Sequence, residues 1–172
     1  MIKGIKLSLP KRRIYNSRNS SSGNFKTPIT SAVVLLDSTN INALQVLGKL
    51  KQELKLKDSG FKMILFKRKE ENFPDFNGLT FVDEDLNFLG NFNKAELLDF
   101  TKNHIDLLIT FAEGNNVLIN LLTATFNADL KVGNDPKCEN ILDVVIRSGK
   151  EVEVFTSELI KLLKQFKNNS NE

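Results

Sequence analysis

Two short polar breaks in an otherwise apolar chain hold the residues best able to meet a ligand. Asp37-Ser38-Thr39-Asn40 follows the apolar run AVVLL, and Glu113-Gly114-Asn115-Asn116 follows LLITFA. Both lead into segments with helical periodicity. A loop of this kind aims free backbone N–H groups past the end of a strand, an arrangement suited to an anion. Neither break has the glycine spacing of a phosphate cradle: DSTNIN is not G-x-G-x-x-G, and it is not G-x-x-x-x-G-K-[ST]. Asp37 and Glu113 also place negative charge where a phosphate would sit. The second break is therefore expected to turn the chain and cap the next helix. Asn115 or Asn116 would supply the capping oxygen, and Gly114 would take a positive φ. Under the alternative reading the same eight residues, Asp37, Ser38, Thr39, Asn40, Glu113, Gly114, Asn115 and Asn116, line a pocket for a nucleotide or sugar.

Other reactive side chains are few. His104 is the single histidine and Cys138 the single cysteine. His104 precedes the apolar run DLLITF, which places it at the amino end of a strand, away from the end where ligands of parallel sheets bind. A position at the C-terminus of a helix accounts for it. Cys138 lies in NDPKCEN with no histidine near it in sequence, so a nucleophilic thiol would lack its base. One thiol excludes an intrachain disulfide, and these counts exclude the zinc motifs built from several thiolates and imidazoles. Asp83, Glu84 and Asp85 lack the spacing of a calcium loop. No catalytic residue, metal site or cofactor is expected.

Charge is divided along the chain. Residues 1–36 carry Lys3, Lys6, Lys11, Arg12, Arg13, Arg18, Lys26 and no acid, a local charge of +7 within an overall +3. Of the 24 basic residues, the other 17 meet 21 acidic ones, which leaves the rest of the chain at −4. A basic segment joined to a mildly acidic body suits polyanion contact, with RNA phosphates the leading candidate. Tyr15 and Phe25 could stack on bases. Hydrophobic residues make up 41% and charged residues 26%, the composition of a globular domain with a substantial core. No apolar run reaches the roughly 18–20 residues of a membrane helix. The start, MIKGIKLSLPKRR, lacks the apolar centre of a secretory signal. A cytoplasmic protein is expected.

The elements that must position these residues follow from periodicity. SAVVLLD (31–37), KMILF (62–66), LTFVD (79–83), DLLITF (106–111), DLKVG (129–133) and DVVIR (143–147) are short, apolar and largely β-branched, the pattern of strands covered on both faces. Residues 40–57, with Thr39 or Asn40 as cap, 92–103, 116–127 and 156–167 have apolar positions at helical spacing. Asn93 and Glu96 have the spacing of a capping box, and Phe92 with Leu97 that of a hydrophobic staple; Thr156 is the expected cap of the last helix. Alternating strands and helices predict a three-layer, Rossmann-like α/β sandwich: a mostly parallel sheet of five or six strands with helices on both faces. Nine residues between the fifth and sixth strands are too few for a helical crossover, so the sixth is expected to run antiparallel or skip a position. The organisation is a basic, irregular segment over 1–30, one domain over 31–167 and a frayed tail over 168–172.

The order SAVVLLDSTN, FVDEDLNFLG, HIDLLITF and NADLKVGN resembles the N-terminal α/β domain of heptosyltransferase-type, two-domain glycosyltransferases. Residues 106–109 and 131–133 match its D-L-v-I strand and its short strand ending in V/I-G. The Gly-rich loop of that family is missing at 37–42, and so is its second domain. A closer resemblance is to an uncharacterised family of small bacterial α/β proteins, in which D-L-L-I, k-V-G and D-v-v-I strands recur in this order. That resemblance implies the fold and no activity.

The sequence thus points to a non-enzymatic α/β binding protein whose Lys3, Lys6, Lys11, Arg12, Arg13 and Arg18 contact RNA or a large assembly such as the ribosome. A glycosyltransferase-like half-domain with its pocket at 37–40 and 113–116 is the alternative, and a protein–protein adaptor using an apolar helix face is the third.

Overall fold

A computed structural model describes residues 25–113, 116–138 and 140–169. Strand β1 (Ala32–Asp37) is buried at every residue. Its apolar run has no polar alternation because both faces are covered: Val34 and Leu36 enter one core, Val33 and Leu35 the other. Around it stand β2 (Phe61–Phe66), β3 (Leu79–Phe81), β4 (Ile105–Phe111), β5 (Ala128–Gly133) and β6 (Val144–Val145). The order is β3-β2-β1-β4-β5-β6, and every paired neighbour is parallel.

Helices α1 (Leu44–Glu53), α2 (Ala95–Lys102), α3 (Val117–Thr125) and α4 (Val152–Asn169) cover the two faces. Leu47 and Leu50 of α1 join Phe155, Leu159 and Leu163 of α4 against Leu107, Ile109 and Val132. Leu97 of α2 and Leu118, Ile119 and Leu122 of α3 pack against Ile64, Phe81 and Leu108 on the other side. The protein is thus a three-layer α/β sandwich of Rossmann-like order. Each fully buried Leu, Ile or Phe contributes about 1.5–3 kcal/mol relative to exposure. No helix among the described residues is long and apolar enough to cross a membrane.

Several local expectations are corrected. β6 neither skips a position nor runs antiparallel. It pairs parallel with β5, Val132 with Val144 and Gly133 with Val145. The connection over 134–143 replaces a crossover helix with a 3-10 turn at Pro136–Cys138 and a small core of Cys138, Ile141 and Leu142. This suffices because β6 meets only the carboxyl end of β5, so the chain need not climb a full strand. The Asp143 carboxylate accepts from the Lys131 N–H at 2.7 Å, and the Asp143 N–H donates to the Lys131 carbonyl at 2.8 Å, extending the ladder.

The first helix begins as a 3-10 turn over Ser38–Ala43, capped by Asp37 rather than by Thr39 or Asn40. The capping box at Asn93 is not formed, because the Asn93 N–H donates to the Asp85 carbonyl and α2 starts at Ala95. The staple pair Phe92 and Leu97 is nevertheless buried in one core. Thr156 lies inside α4, with its hydroxyl donating to the Glu153 carbonyl.

Order reaches further back than the first strand. Phe25 stacks edge-on against Phe166 of α4 with ring centroids 5.2 Å apart, and Ile29 packs on the same core. One carboxylate then ties the entry of β1 to β4. Asp106 Oδ2 accepts from the Thr30 N–H (2.6 Å), the Thr30 hydroxyl (2.8 Å) and the Ser31 N–H (3.0 Å), while Ser31 Oγ accepts from the Asp106 N–H (2.9 Å).

Gly133 ends β5 where Leu142 folds back. A Cβ there would stand 2.6 Å from Leu142 Cδ1 and 3.1 Å from the Thr110 carbonyl oxygen. Gly133→Ala is expected to destabilise the fold by about 1–3 kcal/mol through overpacking, read as a lower urea midpoint.

Candidate functional site

β1 and β4 are adjacent, paired from Ala32 with Leu107 to Leu36 with Phe111, and sheet order reverses between them. The carboxyl ends of such neighbours are where open α/β sheets bind ligands. The loop after β1 and the start of α3 do meet there. Asp37 and Asn116 join across the gap, Asn116 Nδ2 donating to Asp37 Oδ2 at 2.5 Å. The other carboxylate oxygen of Asp37 accepts from the N–H and hydroxyl of Thr39, at 3.0 and 3.1 Å. Asn116 Oδ1 accepts from the Ile119 N–H at 3.0 Å and so caps α3. Asn116 thus fulfils the capping expected of the second break. Gly114 and Asn115 lie outside the described residues, as do Lys3, Lys6, Lys11, Arg12, Arg13 and Arg18.

The rest of this edge is also joined side chain to loop. Ser38 and Asn40 are buried, and Asn40 Nδ2 donates to the Thr39 hydroxyl oxygen at 3.3 Å. Glu71 accepts from the Arg68 N–H at 2.8 Å. That bond, followed by one from the Ser38 hydroxyl, holds its carboxyl below the usual range. Glu113 pairs with Lys150 at 2.6 Å, and the carboxylate raises the lysine pKa above its ordinary value. Asn134 accepts from the Ala112 N–H at 3.0 Å and donates to the Gly149 carbonyl at 2.9 Å, connecting the loops after β4, β5 and β6. The carboxyl edge offers capping and bridging groups; its two carboxylates at the loop mouths oppose an anion.

Cys138 is buried, with its thiol 3.3 Å from Asn120 Oδ1. Burial, aided by Asp135, pushes its pKa up to about 11, the reverse of what a nucleophile requires. Lys131 is only 2% exposed, and burial lowers its pKa against the opposing pull of Asp143.

Two features escaped the sequence. Phe88 and Leu89 are 75% and 54% exposed. The residues that follow them, Gly90, Asn91 and Phe92, line a surface groove of about 290 Å³ with Leu98, Leu121 and Thr125. At the opposite edge of the sheet, His104, Asp106 and Asp129 converge. The available signal was His104-Ile105-Asp106, two polar residues a strand period apart in an apolar run.

Asn116→Ala removes both a helix cap and the partner of a buried carboxylate. It is expected to cost about 1–2 kcal/mol in urea unfolding, more than an ordinary cap deletion in a peptide helix. Cys138 is expected to resist a thiol-labelling disulfide reagent near neutral pH in the native protein and to react fully on denaturation; fast native labelling would show the thiol to be accessible.

No curated protein and no solved structure matches the chain. One family model does, described as a family of unknown function (DUF6913), over residues 5–166. A match across nearly the whole chain, basic segment included, places this α/β protein in that family.

Proposed function

We propose that the protein is a non-enzymatic binding module, acting in the bacterial cytoplasm, whose basic N-terminal segment contacts RNA or an RNA-rich assembly such as the ribosome. The observation that carries this reading is the segregation of charge. Residues 1–36 hold seven cations and no acid, joined to a body in which acids outnumber bases. Phosphates are the polyanion that lysine and arginine meet most productively, arginine through paired N–H groups. The family match begins at residue 5, so Lys6, Lys11, Arg12, Arg13 and Arg18 belong to the matched unit.

The carboxyl edge supports the same reading from the other side. Asp37 and Asn116 are bonded to each other and to backbone N–H groups, and Glu113 is paired with Lys150. A nucleotide or sugar phosphate entering there would have to displace those bonds and face two carboxylates.

Deletion of residues 1–24 keeps Phe25, Ile29 and Thr30 in their contacts and is expected to leave the urea midpoint unchanged. The full chain should bind a single-stranded RNA in fluorescence anisotropy. Log K should fall by roughly 0.7 per log unit of salt for each phosphate contacted. The deletion variant should lose most of that binding. RNA affinity equal to that of the full chain, or a salt slope near zero, would overturn the proposal.

A further inference from the structure

The amino edge of the sheet gathers the only histidine of the chain with two aspartates. Asp106 and Asp129 lie between the register pairs Ile105 with Ala128 and Leu107 with Leu130, so they are side-by-side neighbours on parallel strands β4 and β5. Alternation along a strand sends both side chains to the same face. His104, one residue before β4, brings Nε2 to 3.1 Å from Asp129 Oδ1. One ligand atom from each of the three residues lies within 4.8 Å of the others.

Two ligands held about 2.0–2.2 Å from one ion stand roughly 3 Å apart when adjacent around it. The imidazole and the Asp129 carboxylate already have that separation, and Asp106 needs only a small side-chain adjustment to close the set. Asp106 is also oriented from behind. Its Oδ2 takes three hydrogen bonds from Thr30 and Ser31. Outer hydrogen bonds to a ligand carboxylate are the usual support of a metal ligand. Half of the His104 side chain is open to solvent, which leaves room for water at the remaining coordination positions.

We propose that His104, Asp106 and Asp129 form a binding site for a divalent first-row cation, with Zn²⁺ the preferred ion. One imidazole and two carboxylates are the donor set of an ion of borderline character. Ca²⁺ and Mg²⁺ favour all-oxygen sites, and soft ions favour sulfur. The cation would neutralise two adjacent carboxylates and pin the entries of β4 and β5 to that of β1, where the chain continues from the basic segment. This site is separate from the RNA reading and stands or falls without it.

The test uses full-length protein with any affinity tag removed, so that His104 is the only imidazole. Calorimetric titration with Zn²⁺ should show one saturable site. The single histidine Cε1–H resonance should shift on adding Zn²⁺ and broaden on adding Mn²⁺. His104→Ala and Asp129→Asn should each weaken Zn²⁺ binding at least tenfold while keeping the native circular dichroism spectrum, and Cys138→Ser should bind as the parent does. Absence of saturable binding, an unmoved histidine resonance, parental affinity in His104→Ala, or loss of binding in Cys138→Ser would each overturn the proposal.

Discussion

The structure depends on the placement of β1. A strand with no exposed residue cannot leave its backbone N–H and C=O groups unpaired, because neither water nor side chains can reach them there. Its two edges must both be occupied, and β2 occupies one over the full strand length and β4 the other from Ala32 to Leu36. Once β1 is central, the chain builds outward to β3 on one side and to β6 on the other. The reversal of order between β1 and β4 follows, and with it the meeting of Asp37 and Asn116.

The two edges of this sheet differ in what their polar groups do. At the carboxyl edge, Asp37, Asn116, Asn134 and Glu113 each join a loop to another loop, so the residues that looked most like ligand-binding groups act as joints. At the amino edge, the Asp106 carboxylate organises the entry of β1 and stands beside Asp129 and His104. Burial raises the pKa of Asp106, yet the bonds from Thr30 and Ser31 outweigh it and leave a net lowering. The fold therefore favours the charged form, and the stability it contributes is fully present above the ordinary carboxylate value and lost as pH falls through the lower folded one.

Apolar periodicity and cap chemistry made much of this legible. The β-branched runs located β1, β2, β4 and β5 within a residue or two, because strands buried on both faces admit little else. Asn116 was readable as a cap because an asparagine before an apolar helix has one common use. Helix starts were less legible. Asn93 and Thr156 have capping chemistry, but Asn93 is drawn to Asp85 and Thr156 lies a full turn inside α4, bonded to Glu153. Both outcomes depend on how neighbouring loops settle, which local spacing does not encode.

Residue order by itself determined the layer architecture, the absence of a glycine-rich phosphate cradle and the separation of a basic segment from an acidic body, since these follow from composition and period alone. Only the tertiary structure decided the direction of β6, which depends on Ile141 and Leu142 finding a small core of their own. It alone closed the gap between Asp37 and Asn116, residues far apart in the chain. It alone brought Asp129 beside Asp106 and His104, because strand register is set by the packing of two whole faces and not by the residues it brings together.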